Sequence, residues 1–262
     1  MDKRVWLVFL IFILFIASVV SGKVYWNKKV AKATKQEVSL KEEAAKKTET
    51  KVSFNEGYAK NLPTAVKEKL KKAASEKKAV NLVIVGDEAS SASPDAWPEK
   101  VKANLNANYG QGLWNVTVQE YKGESTEDLI AKSRAKEIAD LKPDVVLFEP
   151  PFITDNKKIG NGNSVANAQN FIGALQASAK DATIIIQPPN PVYNAKEYPT
   201  FVAALKQFAE QGGYTYINHW EVWPDSMTKD ILPYLQDELG FPNAKGQELW
   251  AQYVTNYFVA KS

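Results

Sequence analysis

The residues that could do chemistry in this chain are few. Cysteine is absent, so a disulfide framework, a thiolate zinc site and a cysteine nucleophile are all excluded. One histidine exists, His219, which rules out a multi-histidine metal site and makes it the sole candidate for an imidazole base. Ser90, Ser91 and Ser93 crowd one short stretch behind Asp87-Glu88. A serine there, with His219 as base and Glu221 or Asp225 orienting the ring, would form a nucleophilic dyad or triad. The carboxylates Asp87, Glu88, Glu149 and Asp155 offer a second chemistry. A converging pair could hydrolyse a glycosidic bond or hold a hard divalent ion through oxygen. Asp87 could also simply cap a turn. No cofactor is implied by these residues, and with one histidine and no cysteine no zinc site is expected.

These groups need a scaffold. Short apolar runs recur at Asn81–Val85, Val116–Gln119, Asp144–Phe148, Thr183–Ile186 and Tyr214–Ile217. Several are continuous rather than alternating, as in strands covered on both faces of a parallel sheet. Helical patterns lie between them at Ala96–Ala107, Ser125–Asp140, Ser164–Ala179 and Tyr198–Gln211, with another before the first strand and a last one over Lys245–Val259. The alternation predicts a three-layer α/β/α sandwich on a five-stranded parallel sheet, flavodoxin-like in plan. Ligands of such sheets bind beyond the carboxyl ends of the strands. Gly86-Asp87-Glu88, Tyr121-Lys122-Gly123, Glu149-Pro150-Pro151, Gln187-Pro188-Pro189 and Asn218-His219-Trp220 all fall there. Trp97, Phe152, Tyr193, Trp220 and Trp223 stand near these loops and could stack on sugar rings, or fill the core.

In these loops the chain resembles the SGNH/GDSL hydrolases over residues 80–262. Gly86-Asp87-Glu88-Ala89 resembles the family's first block, the Gly-Asp-Ser-Leu turn. Tyr121-Lys122-Gly123-Glu124 resembles the second, with Gly123 at the oxyanion-hole glycine. Pro143-Asp144-Val145-Val146 followed by Phe152-Ile153-Thr154-Asp155 resembles the third, and Phe241-Pro242-Asn243-Ala244-Lys245-Gly246-Gln247 the fifth. The resemblance implies ester or acyl hydrolysis, yet Glu88 stands at the serine position and Phe241 at the histidine position. Thr154, or Asp155 or Asn156 in a shifted loop, falls at the oxyanion asparagine, and Glu238 at the acid. A carboxylate is not a hydroxyl nucleophile, and it opposes the oxyanion that the hole must stabilise. Phenylalanine takes no proton. Retained family chemistry is therefore not expected at those positions; activity would require relocated groups such as Ser90 and His219.

The N-terminus points to export. Asp2-Lys3-Arg4 precedes Val5–Gly22, an eighteen-residue stretch without charge. That length suits an uncleaved transmembrane anchor over residues 1–26 better than a signal peptide, and Lys3-Arg4 favours a cytoplasmic start. A buried core helix is a poor alternative, because a charged arm follows directly. Residues 27–60 read as a Lys/Glu/Ala-rich stalk, and residues 61–262 as the folded domain. Residues 23–80 hold sixteen lysines against seven glutamates, whereas the whole chain has a net charge of only +3, so the remainder is acidic. The basic balance is thus no nucleic-acid footprint, and just two arginines are present. The expected partners are the membrane, through the N-terminal helix, and an envelope polysaccharide or acylated glycan. The domain would lie outside the cytoplasm.

Overall fold

The computed structural model describes residues 54–160, 162–236 and 240–260. The apolar N-terminal stretch, most of the arm and Glu238 lie outside the described residues. Among the described residues no helix is long and apolar enough to cross a membrane.

The sheet has five strands: β1 (Val80–Gly86), β2 (Trp114–Glu120), β3 (Val145–Phe148), β4 (Thr183–Ile186) and β5 (Thr215–Tyr216). Their order is β2-β1-β3-β4-β5, and every pairing is parallel. The continuous apolar runs are the central strands: all of β3 and the last five residues of β1 are buried. β5 is an edge strand of two residues and only partly buried.

The helices are α1 (Thr64–Glu76), α2 (Trp97–Tyr109), α3 (Thr126–Ala131), α4 (Arg134–Asp140), α5 (Phe152–Lys158), α6 (Ser164–Ser178), α7 (Tyr198–Gln211) and α8 (Ala244–Phe258). The chain moves outward from β1 to β2, then back past β1 to β3, β4 and β5. Right-handed crossovers therefore put α2 on one face and α3, α4, α6 and α7 on the other. The packing agrees: α8 lies against α2, while α6 touches α3, α4 and α7. The reversal between β1 and β3 opens a crevice at their carboxyl ends, where open α/β sheets take their ligands. Asp87 follows β1 and Glu149 follows β3, so the topology brings the two carboxyls to that crevice.

Three local features differ from the sequence reading. The helix expected over Ser125–Asp140 is two helices, because Ser133 adopts a left-handed conformation with φ 55°. The loop after β3 contains a helix, α5, begun directly behind Pro151. The last residues assigned to the stalk belong to the domain: Ala59 is buried, Tyr58 meets Tyr109 edge-on, and Ala260 donates its N–H to the Tyr58 carbonyl.

Candidate active site

The turn after β1 is built by Asp87. Its Oδ1 accepts the Ala89 N–H at 2.9 Å and so closes the short 3₁₀ turn Glu88–Ser90. Its Oδ2 accepts from the Thr154 hydroxyl at 3.0 Å. That turn delivers Ser90 into the interior, where it is fully buried. The Ser90 hydroxyl donates to Glu149 Oε2 at 2.6 Å and accepts from Trp97 Nε1 at 3.2 Å. Gly86 makes this approach possible: a Cβ there would collide with Glu149 Oε2 and stand 2.6 Å from Ser90 Cβ. Glycine at this position serves close packing rather than a special φ.

Two carboxyl groups are thus buried beside one another. Burial pushes the Asp87 carboxyl up to about 7, and the nearby Glu88 charge adds to the effect. Burial, reinforced by Asp87, holds Glu149 well above the usual carboxylate range. Both oppose the charged form for the same physical reason, desolvation with a like charge close by. Glu149 Oε1 and Glu88 Oε2 are buried without a hydrogen bond to the described residues. Glu88 itself is half-buried and faces the second block: a Cβ on Gly123 would lie 3.9 Å from Glu88 Oε1. Gly123 has φ +67°, the left-handed region that favours glycine. The first and second blocks are therefore brought together, but with a carboxylate at the nucleophile position.

His219 is not the partner of Ser90. It is fully buried, and its ring is the end plate of a stack: 4.0 Å from Trp250, which in turn lies 4.9 Å from Trp97. Its Nε2 donates to the Pro188 carbonyl at 2.8 Å, and its Nδ1 accepts from Trp223 Nε1 at 2.9 Å. Both nitrogens are spent, the tautomer is set by the carbonyl, and burial drives the imidazole down to about 3. The alternative of a relocated Ser90–His219 dyad is corrected accordingly: His219 is a neutral packing residue. Glu221 and Asp225 do not orient it; Trp223 and Pro188 do. Ser91 and Ser93 bond to each other at 2.8 Å on the exposed side of the turn.

The third block does not form an oxyanion hole from the expected side chains. Thr154 spends its hydroxyl on Asp87. Asp155 is buried and accepts the Thr126 N–H at 2.7 Å and hydroxyl at 2.8 Å, fastening the start of α3. Asn156 is exposed on α5. The fifth block keeps its structural half. Asn243 caps α8 by accepting from the Lys245 and Gly246 amides, and its own amide donates to the Pro233 and Leu235 carbonyls. Gly246 is required there, since a Cβ would collide with the Tyr234 carbonyl. Phe241, at the base position, is buried with Lys157 Nζ 4.4 Å above its ring. Gln247 ties the parts together, accepting the Trp97 N–H at 2.7 Å and donating to the Ala89 carbonyl at 3.1 Å.

Of the five aromatics proposed for stacking, Trp97, Phe152 and Trp223 are core residues. Tyr193 and Trp220 are half-buried, and Trp220 stacks on Tyr198. Among the described residues no cluster of three or more acidic or histidine side chains is placed to hold a metal ion. The residues that sequence reasoning did not single out are Gln247, Trp250 and Lys157. Gln247 lay within the recognised motif, one position past its glycine.

No family model matches the sequence, and no curated protein matches it. Solved structures do. An acetylxylan esterase from Geobacillus stearothermophilus superposes with a TM-score of 0.56 at 15% identity, over 68% of this chain and 94% of that one. An alpha/beta hydrolase from the metagenome of Lake Arreo gives 0.56 at 16% identity, over 68% and 94%. A G-D-S-L family protein described as lipolytic, from Desulfitobacterium hafniense, gives 0.53 at 18% identity, over 68% and 99%. At these identities the likeness is one of architecture: the chain carries the α/β fold of the SGNH/GDSL esterases.

Proposed function

We propose that this protein is a membrane-anchored, extracytoplasmic module with an SGNH fold that binds an envelope glycan or acylated polymer and does not cleave esters by the family mechanism. The observation that carries this reading is the state of His219. The chain's one imidazole has both nitrogens committed to Pro188 and Trp223 and stays neutral far below physiological pH. A general base needs a free lone pair and an affinity for protons near the working pH. The esterase neighbour from Geobacillus has catalytic variants at a serine, an aspartate and a histidine. Here the serine and histidine positions of the motif hold Glu88 and Phe241. Triad members act as a unit, so losing both removes nearly all of the rate.

A second reading rests on one contact. The 2.6 Å bond from Ser90 to Glu149, whose proton affinity is raised, has the form of a nucleophile–base pair. Against it stands the complete burial of Ser90 beneath Trp97.

Placement outside the cytoplasm rests on Lys3-Arg4 and the uncharged Val5–Gly22 stretch. The test uses the purified full-length chain in two assays. Acetylated xylo-oligosaccharides and p-nitrophenyl acetate should show no hydrolysis above the buffer rate, and isolated cell-envelope polysaccharide should retain the protein. Hydrolysis that disappears in Ser90→Ala and Glu149→Gln would replace this reading with the second one.

A further inference from the structure

The flank of α8 carries a groove that none of the loops after β1, β2 or β3 contributes to. We infer that this groove binds a neutral glycan chain, an inference that rests on the reading of the protein as a binding module and gives that module its site. The groove has a volume of about 260 Å³, just below the usual range of small-ligand clefts.

Two rows of side chains line it along one helix. Leu249, Tyr253 and Tyr257 follow each other at four-residue intervals, and Gln252 and Asn256 run beside them. On a helix such residues share a face. Successive members advance by about 6 Å, close to the length of one sugar unit. The arrangement therefore repeats an aromatic plate and an amide at the period of a pyranose chain. Aromatic faces take the C–H side of a sugar, while amides donate and accept at its hydroxyls.

The lining has no carboxylate, ammonium or guanidinium group. A charged ligand would lose its hydration without meeting a counter-charge, so the occupant is neutral. The polar groups are only partly spent. Asn61 donates to the Asn256 backbone carbonyl at 3.2 Å, and Tyr253 accepts the Asn218 N–H at 3.1 Å. Gln252 donates to Glu248 at 3.1 Å. The side-chain amide of Asn256 and the hydroxyl of Tyr257 make no hydrogen bond to the described residues, and both face the groove. Burial pushes the Tyr257 phenol up to about 12, which keeps it a donor throughout the physiological range. Val222, 42% exposed, adds an apolar edge. Nothing in this set can act as an acid–base pair, which fits recognition rather than turnover.

The experiment is ligand-observed saturation-transfer NMR on the full-length chain, with chitotetraose and xylotetraose as probes. At least one probe should show transfer. Asn256→Ala should weaken its binding about fivefold and Tyr257→Ala about tenfold. Asn256 is exposed, so its variant keeps the fold, which the near-ultraviolet circular dichroism would verify. Transfer that is unchanged in both variants would overturn the groove and leave the binder reading standing. Absence of transfer from both probes would overturn the groove. If envelope polysaccharide also failed to retain the chain, the binder reading would fall as well. Concentration-dependent dimers weakened by Tyr257→Ala, without transfer, would assign the groove to a second copy and so also overturn the proposal.

Discussion

Two buried polar regions sit a few side chains apart, linked through Trp97. One is the crevice of Asp87, Ser90 and Glu149; the other is the stack of Trp97, Trp250 and His219. In the stack every polar atom of His219 is paired, the imidazole is neutral, and the ring is held between an indole face and two hydrogen bonds. In the crevice one Glu149 oxygen has no hydrogen bond to the described residues, and burial raises both carboxyls, with Glu88 adding to the effect on Asp87 and Asp87 to that on Glu149. In the stack the polar groups satisfy one another; in the crevice burial disfavours the charged form of both carboxyls.

That comparison can be broken from either side. The largest effect is expected at His219→Ala. It removes a stacked ring and leaves the Trp223 N–H and Pro188 carbonyl without partners, at a cost of about 4 kcal/mol in urea unfolding. Gly86→Ala attacks the crevice instead, and its clash with Glu149 and Ser90 should cost about 3 kcal/mol. The pH dependence separates the two regions. Asp87 and Glu149 hold protons in the folded state that the unfolded chain releases, so their contribution to stability declines as pH rises from about 4 toward 7. His219 acts in the opposite sense. The unfolded chain binds a proton there between about 3 and 6.5, so its contribution grows as pH rises through that window. Glu149→Gln should therefore lose the declining part and be more stable than the parent above pH 7, measured as melting temperature across pH. The smallest effect belongs to Ser90→Ala, about 2 kcal/mol for two buried hydroxyl bonds.

Much of the scaffold was legible because it rests on local pattern. Continuous apolar runs such as Val145–Phe148 can only be satisfied between two layers, and they are the central strands. Pro242-Asn243-Ala244-Lys245-Gly246 was legible for a physical reason as well: Asn243 caps the helix, and only glycine fits against Tyr234. The break at Ser133 was not legible, since a left-handed serine carries no local signature. At the site, residue types showed what was missing, the serine and the histidine of the motif. They did not show what the remaining groups do. Ser90 meets Glu149 fifty-nine residues away, and His219 takes its environment from Trp250 on the last helix. A lone histidine after a strand reads equally as a base or as a hydrogen-bonded structural residue, and its two partners decide for the latter.

The proposed absence of ester cleavage requires that Ser90, the one serine delivered into the crevice, be unreactive. Labelling of the full-length chain with a fluorophosphonate probe, read by intact mass, tests it most directly, because the probe needs an activated and accessible hydroxyl and no knowledge of the substrate. No mass shift is expected at neutral pH. A stoichiometric adduct on Ser90, lost in Glu149→Gln, would contradict it and make the crevice an active site.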